Sequence, residues 1–178
     1  TNTGAPNPAE VNFLYRWPSQ RTITRIELYG GQETAEGGWW TDLRIELSSN
    51  GNDWNVMKTA ADAVPVYPNA ASQSFNHYTF TFATPRSGKY MRIIGPAGGA
   101  PGYISASEIE VYAELEPGEG GYYPNIAPSA AEIFGSHNAG VSQGSTSLTV
   151  INDGYAPGVD AVDPLAQFAT WNGFTDAV

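Results

Sequence analysis

Residues 42–48 read Asp-Leu-Arg-Ile-Glu-Leu-Ser, so that Leu43, Ile45 and Leu47 alternate with Asp42, Arg44 and Glu46. Successive side chains of an extended strand point to opposite faces, and a period of two therefore separates one apolar face from one polar face. The pattern recurs. Val11, Phe13, Tyr15 and Trp17 share one side of 11–17, and 22–29 (TITRIELY) is a second candidate strand. Tyr78, Phe80 and Phe82 alternate with Thr79 and Thr81, and 89–94 (KYMRII) follows a turn expected at Arg86-Ser87-Gly88. Ile109, Val111, Ala113 and Leu115 oppose Glu108, Glu110 and Glu114; 147–151 (SLTVI) ends at the turn signal Asn152-Asp153-Gly154. Seven or eight short alternating strands joined by turns predict an all-β, antiparallel sandwich or jelly roll.

Composition agrees, with 20 glycines, 13 prolines, ten Tyr, seven Phe and five Trp among 178 residues. Aromatic and β-branched residues suit a half-buried pleated surface. The formal net charge of −10 argues against a protein that neutralises many phosphates on nucleic acid, and against adsorption to an anionic membrane. No apolar run approaches the roughly 20 residues of a membrane span, so no membrane insertion is expected. There is no Cys, which rules out disulfides and thiolate metal sites, and two His make an imidazole zinc site an unlikely fit. Low charge, abundant small polar residues and absent Cys together point to an extracellular or cell-surface protein, bacterial rather than eukaryotic. The chain opens at Thr1 without Met or a signal peptide, and is expected to be a processed protein or a piece of one.

Charge is unevenly placed. All eight Lys and Arg lie within 1–115, along with 11 acids, whereas 116–178 carries seven acids and no cation. The join, Glu116-Pro117-Gly118-Glu119-Gly120-Gly121, has the composition of a linker, and 116–124 is read as a boundary between 1–115 and 125–178.

Several segments resemble the discoidin family, also known as coagulation factor 5/8 type C or galactose-binding-like domains, to which bacterial carbohydrate-binding modules are related. They are RWPSQRTITRIELYG at 16–30, DLRIELSSNGNDW at 42–54, KYMRIIG at 89–95, SASEIEVYAEL at 105–115, NIAPSA at 125–130, VINDG at 150–154 and FATWNG at 168–173. The resemblance implies a discoidin-like β-sandwich, but the order is unusual: pieces that close such a domain come first here, and opening pieces come last. Three arrangements follow. The chain is circularly permuted; or 122–178 completes 1–115 of a neighbouring chain, head to tail, and builds a filament; or it is one phase of a tandem array. A segment of about 55 residues with one clear strand cannot bury its own apolar face. Tyr122, Tyr123, Phe168, Trp171 and Phe174 are therefore expected at an interface.

The resemblance also implies one structural Ca²⁺, whose ligands would match Asp153, Thr170 and Glu108, with Asp160 and Asp163 as a weaker set; Ca²⁺ takes six to eight oxygens. Glycan or polysaccharide recognition needs aromatic faces beside polar groups. The candidates are Trp39 and Trp40 in GGQETAEGGWW, Tyr103 in GGAPGYIS and Tyr155 after Asp-Gly, with Arg44, His77, Asn69 and Glu36 as companions. One of Trp39 and Trp40, and Tyr103, are alternatively packed on the sheet, while Trp17, Trp54 and Trp171 match framework positions. No G-x-S-x-G, H-E-x-x-H or phosphate loop occurs, and His77 and His137 are read as structural imidazoles. The chain is expected to bind rather than catalyse, either as a glycan-binding module or as a subunit of an extracellular filament or array. The calcium assignment predicts that Ca²⁺ raises the midpoint of thermal unfolding and that a chelator lowers it, as read by tryptophan fluorescence; an unchanged midpoint removes the assignment.

Overall fold

The computed structural model describes residues 10–100, 102–115, 125–127, 130, 132–135 and 171–172. Its strands are β1 (Val11–Gly30), β2 (Arg44–Ser48), β3 (Asn55–Thr59), β4 (His77–Gly95), β5 (Ser105–Ala113), β6 (Glu132–Gly135) and β7 (Trp171–Asn172), with a 3-10 turn at Ala60–Asp62. Every pairing between them is antiparallel. The described strands thus form the antiparallel β-sandwich that the alternation predicts.

Two long strands carry it. β1 and β4 pair from Val11↔Gly95 to Tyr29↔His77. Four shorter strands were expected here (11–17, 22–29, 78–82, 89–94), and each pair proves to be one continuous strand. Arg86-Ser87-Gly88 is not a turn: Ser87 pairs with Thr22, and Gly88 pairs with Arg21 where a Cβ would crowd Leu47 and the Tyr90 carbonyl. Glycine serves there as a close approach inside a strand. The register breaks on both strands: Trp17-Pro18-Ser19-Gln20 bulges on β1 between Arg16↔Tyr90 and Arg21↔Gly88, and residues 82–85 bulge on β4 between Ile23↔Arg86 and Arg25↔Thr81. Proline has no N–H for a ladder, so a bulge is where it is tolerated, and bulges let one strand serve two sheets.

The ribbon therefore contributes to both halves of the sandwich. One half is ordered β3-β2-β4-β1-β6, using Arg44–Ser48 against Tyr90–Ile94 and Phe13–Arg16 against β6. In the other half β4-β1-β5-β7, Ile23–Gly30 lies between β4 and β5. The alternation predicted the inward face: Val11, Phe13, Tyr15, Trp17, Ile45, Leu47, Phe80, Met91, Ile93, Ile109 and Val111 are all buried.

A chain of aromatic contacts links the halves. The Trp40 ring meets Phe13 at 5.9 Å and Tyr67 at 6.4 Å, and Tyr67 meets Tyr78 at 4.8 Å between centroids. The Trp40 indole Nε1 donates to the Val11 carbonyl (3.2 Å), and its backbone N–H donates to the Tyr67 hydroxyl (3.0 Å). Burial accordingly raises the Tyr67 pKa far above that of a free phenol.

The C-terminal part joins this frame by strand pairing. β6 lies along Phe13–Arg16, and β7 lies along Ser105–Ala106. A permuted sandwich and a neighbour-completed one both need such pairings. The expected strand 147–151 and the linker 116–124 lie outside the described residues.

The core face sets the cost of substitution. Phe80→Ala should lose about 3–5 kcal/mol in urea unfolding, whereas Thr81→Ala, one residue on and exposed, should stay within about 0.5 kcal/mol. At the 3-10 turn, the backbone N–H and hydroxyl of Thr59 donate to the Asp62 carboxylate (2.9 and 3.0 Å), and the backbone bond leads in lowering its pKa. The depressed pKa stabilises the fold above the unfolded value of about 4, and that contribution fades as pH falls through the folded value. Asp62→Ala should cost about 0.5 kcal/mol at neutral pH, and the difference should vanish in acid.

Candidate functional site

A bulge in β1 between Ile23 and Arg25 resets the pleat. Ile26 and Leu28 then face the core while Arg25, Glu27 and Tyr29 face outward. The registers Tyr29↔His77, Glu27↔Thr79, Glu27↔Glu110 and Arg25↔Tyr112 place residues of three strands on this face. Glu27 organises it. One carboxylate oxygen meets Arg25 Nε at 2.9 Å; the other meets His77 Nε2 at 2.7 Å and accepts from the Thr79 hydroxyl at 2.6 Å. Neighbours cover this carboxylate so well that Glu27 is only 6% exposed.

Rings flank the carboxylate. Tyr29 and His77 stack with centroids 4.2 Å apart and planes 3° from parallel, as a cross-strand pair. The Arg25 guanidinium lies 4.0 Å over the Tyr112 ring, and the Tyr112 hydroxyl donates to Glu110 (2.9 Å). Burial, then the charges of Glu110 and Glu27, pushes the Tyr29 pKa up to about 12. Burial and then Glu110 raise that of Tyr112 as well. Both phenols are therefore neutral at physiological pH, in a field dominated by carboxylates. Around the His77 end runs a polar rim. Glu33 accepts from the Ser72 backbone N–H (2.5 Å), the Glu33 N–H donates to the Ser74 hydroxyl (2.9 Å), and Asn76 donates to the Ser72 hydroxyl (3.3 Å).

The other half carries a matching cluster. Glu46, also buried, takes Arg92 at 2.6–2.7 Å and Arg44 at 3.6 Å; Arg92 lies 4.1 Å over the Trp54 ring. Arg44 further pairs with Asp42 (2.8 Å) and with Glu10.

The expected sugar-binding residues do not converge. Trp40 is 1% exposed and Trp39 8%, so neither offers a ring face at the surface; both are core residues. The reason is local. Gly37, Gly38, Gly98 and Gly99 let the backbones of two loops meet, and a Cβ at Gly98 would strike the Trp39 indole. Tyr103 is also buried, its hydroxyl 2.9 Å from that of Thr34 and its pKa raised by that burial. Asn69 holds the Leu43 N–H (3.0 Å) from a left-handed backbone (φ 53°), a structural part. Glu36 is exposed, and its bond with Thr34 keeps its carboxyl below the ordinary range. Only His77 lies on the Glu27 face; Arg44 belongs to the other half. Trp54, assigned to the framework, is half-exposed under Arg92, whereas Trp17 is core as expected.

Of the expected calcium ligands, Glu108 is buried on β5, while Asp153 and Thr170 lie outside the described residues, as do Tyr155, Asp160 and Asp163. No cluster of three or more metal-ligating side chains occurs among the described residues. Of the expected interface residues, Trp171 pairs through its backbone with Ala106; Tyr122, Tyr123, Phe168 and Phe174 lie outside.

Arg25, Glu27, Tyr29, Glu110 and Tyr112 were not singled out from the sequence. The signal was present: in RIELY and EIEVY every second residue is charged or aromatic, which puts them on one face. Glu27→Ala strips partners from Arg25, His77 and Thr79 and should cost about 1–3 kcal/mol in urea unfolding.

The F5/8 type C domain model matches residues 11–109, which runs from the start of β1 into β5. Among solved structures, CpGH89CBM32-5 from Clostridium perfringens, in complex with GalNAc-beta-1,3-galactose, is similar at 18% identity and a TM-score of 0.38. The alignment covers 52% of this chain and 58% of that one, so this chain spans little more than half of its length. No curated protein matches.

Proposed function

Because the chain belongs to the F5/8 type C domain family, we propose that it is a non-catalytic module that binds glycans through the face organised by Glu27. Domains of this family are generally binding modules and typically take carbohydrate. The observation that carries the locus is the Tyr29–His77 ring pair with His77 held on Glu27. A sugar's C–H face packs on a ring, and its hydroxyls take directional bonds from fixed polar groups. Here Glu27, itself held by the Thr79 hydroxyl, fixes the imidazole, and Glu110 fixes the Tyr112 hydroxyl.

Charge narrows the ligand. Arg25 and His77 are both engaged by Glu27, and Glu33 and Glu110 add further negative charge. A uronate or sialic acid would meet repulsion here, so the ligand is a neutral or amino sugar. An extracellular or cell-surface location fits such a ligand, as does calcium at Asp153, Thr170 and Glu108, where a buried Glu108 carboxylate is a suitable donor. None of the described helices is long and apolar enough to cross a membrane.

Titration calorimetry against a panel of neutral, amino and acidic oligosaccharides tests this reading. A neutral or amino sugar should bind, and His77→Ala and Tyr29→Ala should each weaken it about tenfold while the melting point changes little. Absence of binding across the panel, a preference for acidic sugars, or full affinity in both variants would overturn it.

A further inference from the structure

The Glu27 face continues past β4. Val64, in the connection between the 3-10 turn and β4, pairs with Thr79 along the outer edge of that strand. The Val64 N–H donates to the Thr79 carbonyl (2.9 Å), and the Thr79 N–H donates to the Val64 carbonyl (3.0 Å). Residues paired directly across an antiparallel ladder put their side chains on one face, with Cβ atoms about 5 Å apart. The Thr79 hydroxyl lies on the Glu27 carboxylate, so the Val64 side chain stands on that face too. It ends a cross-strand row that runs Val64, Thr79, Glu27, Glu110. His77, two residues before Thr79, stands beside this row on the same face.

Val64 is 73% exposed, the most exposed large apolar side chain among the described residues. Its backbone is nonetheless fixed. The N–H groups of Ala63 and Tyr67 both donate to the Ala60 carbonyl (3.3 and 3.1 Å), and the Ala63 and Tyr67 side chains are buried. A β-branched side chain also has few rotamers. Val64 therefore presents a small, rigid apolar wall at the edge of a polar surface.

The hydroxyl beside this wall has one role left. A threonine hydroxyl has one proton and two lone pairs. The Thr79 proton is given to Glu27 (2.6 Å), so toward a ligand Thr79 can only accept. A group that fits this corner must place a donor and a small apolar group side by side. An acetamido group does so. A secondary amide is planar and trans, which puts its N–H and its methyl on the same side and its carbonyl on the other. A sugar hydroxyl supplies the donor and leaves the wall bare. An acetyl ester covers the wall and supplies no donor. A free amine donates but has no methyl.

We propose that Val64 and Thr79 form a specificity-determining corner of the Glu27 face that selects an N-acetylated amino sugar, whose N–H donates to the Thr79 hydroxyl oxygen and whose methyl packs on Val64. The inference rests on the Glu27 face being the glycan site. The Tyr29–His77 pair supplies the platform, and the corner decides the substituent.

The test is an NMR titration of the full chain with N-acetylglucosamine and N-acetylgalactosamine. Each is compared with its parent hexose, that hexose's 2-O-acetyl ester and the free amine. At least one acetamido sugar should bind about tenfold more tightly than its hexose and its amine, with the ester between, since one methyl against an apolar wall is worth about that much. Val64→Ser should bring the acetamido-to-hexose ratio to about one, and Val64→Ile, which keeps the wall, should preserve it. The melting point should move little in both, because the side chain is exposed. Thr79→Val, which keeps the shape and removes the acceptor, should erase the difference between amide and ester. An acetamido sugar that binds no better than its hexose, an ester equal to the amide, or a ratio that survives Val64→Ser overturns the proposal. The Glu27 reading still stands in those cases if the hexoses bind and His77→Ala weakens them. If no sugar of the panel binds, that reading falls and this inference falls with it.

Discussion

The bulge at Trp17-Pro18-Ser19-Gln20 is the constraint on which the remaining architecture depends. It lets one antiparallel ribbon, β1 with β4, leave the first half of the sandwich and enter the second without ending. A straight ribbon of that length would put its apolar face on one plane, with nothing to cover it. The bend turns two stretches of one face toward each other, so Phe13 and Tyr15 share a single core with Ile26 and Phe80. Trp17 sits at the bend and is buried by it, and its one polar atom is satisfied by Ile126. Bending the ribbon and anchoring the C-terminal part are thus the same event.

On the outer faces the two halves follow one plan. Each carries one glutamate, Glu27 or Glu46, held under cations from adjacent positions, with an arginine lying over a ring. Burying a carboxylate is costly unless its oxygens are paired and hydrogen-bonded. Here the pairing is local and cross-strand, so it fixes the register that the inward face alone would leave to packing. The halves differ in what flanks the glutamate. Around Glu46 the cations are two arginines, doubly engaged. Around Glu27 one cation is replaced by an imidazole whose ring stays 44% exposed and is stacked on a tyrosine. That difference separates a purely structural cluster from a surface able to meet a ligand.

Much of this was legible from period two. The inward residues of 11–17, 42–48, 78–82 and 109–113 are buried as the alternation requires, whereas Leu115 is half-buried and Glu46 and Glu108, on the polar side of the pattern, are buried. The alternation could not reveal where strands end. Arg86-Ser87-Gly88 has the composition of a turn, yet a Cβ at Gly88 would crowd Leu47 and the Tyr90 carbonyl, a tertiary reason for glycine that is invisible in a local window. The burial of the loop aromatics was hidden for a related reason. Aromatic residues in a glycine-rich loop read as exposed, but the glycines at 37, 38, 98 and 99 remove the space that would expose Trp39 and Trp40. Glu27 was not singled out at all; its burial comes from Arg25, His77 and Thr79, which only the register brings together.

The glycine contact between the two loops has a consequence for how such a module can diversify. With Gly38 at φ 114° and Gly99 at φ 81°, and with backbone atoms of Gln32 and Glu36 lying where side chains would grow, these positions are closed to other residues. A lineage, or a library, that altered specificity by varying these loop tips would unseat Trp39 and, with it, the neighbouring core. Among the described residues, the sheet surface around the two buried glutamates meets no such backbone, and exposed strand positions such as Thr81 can change at little cost. The recognition properties of this scaffold can therefore drift through strand positions while its loops stay frozen, the reverse of an antibody domain.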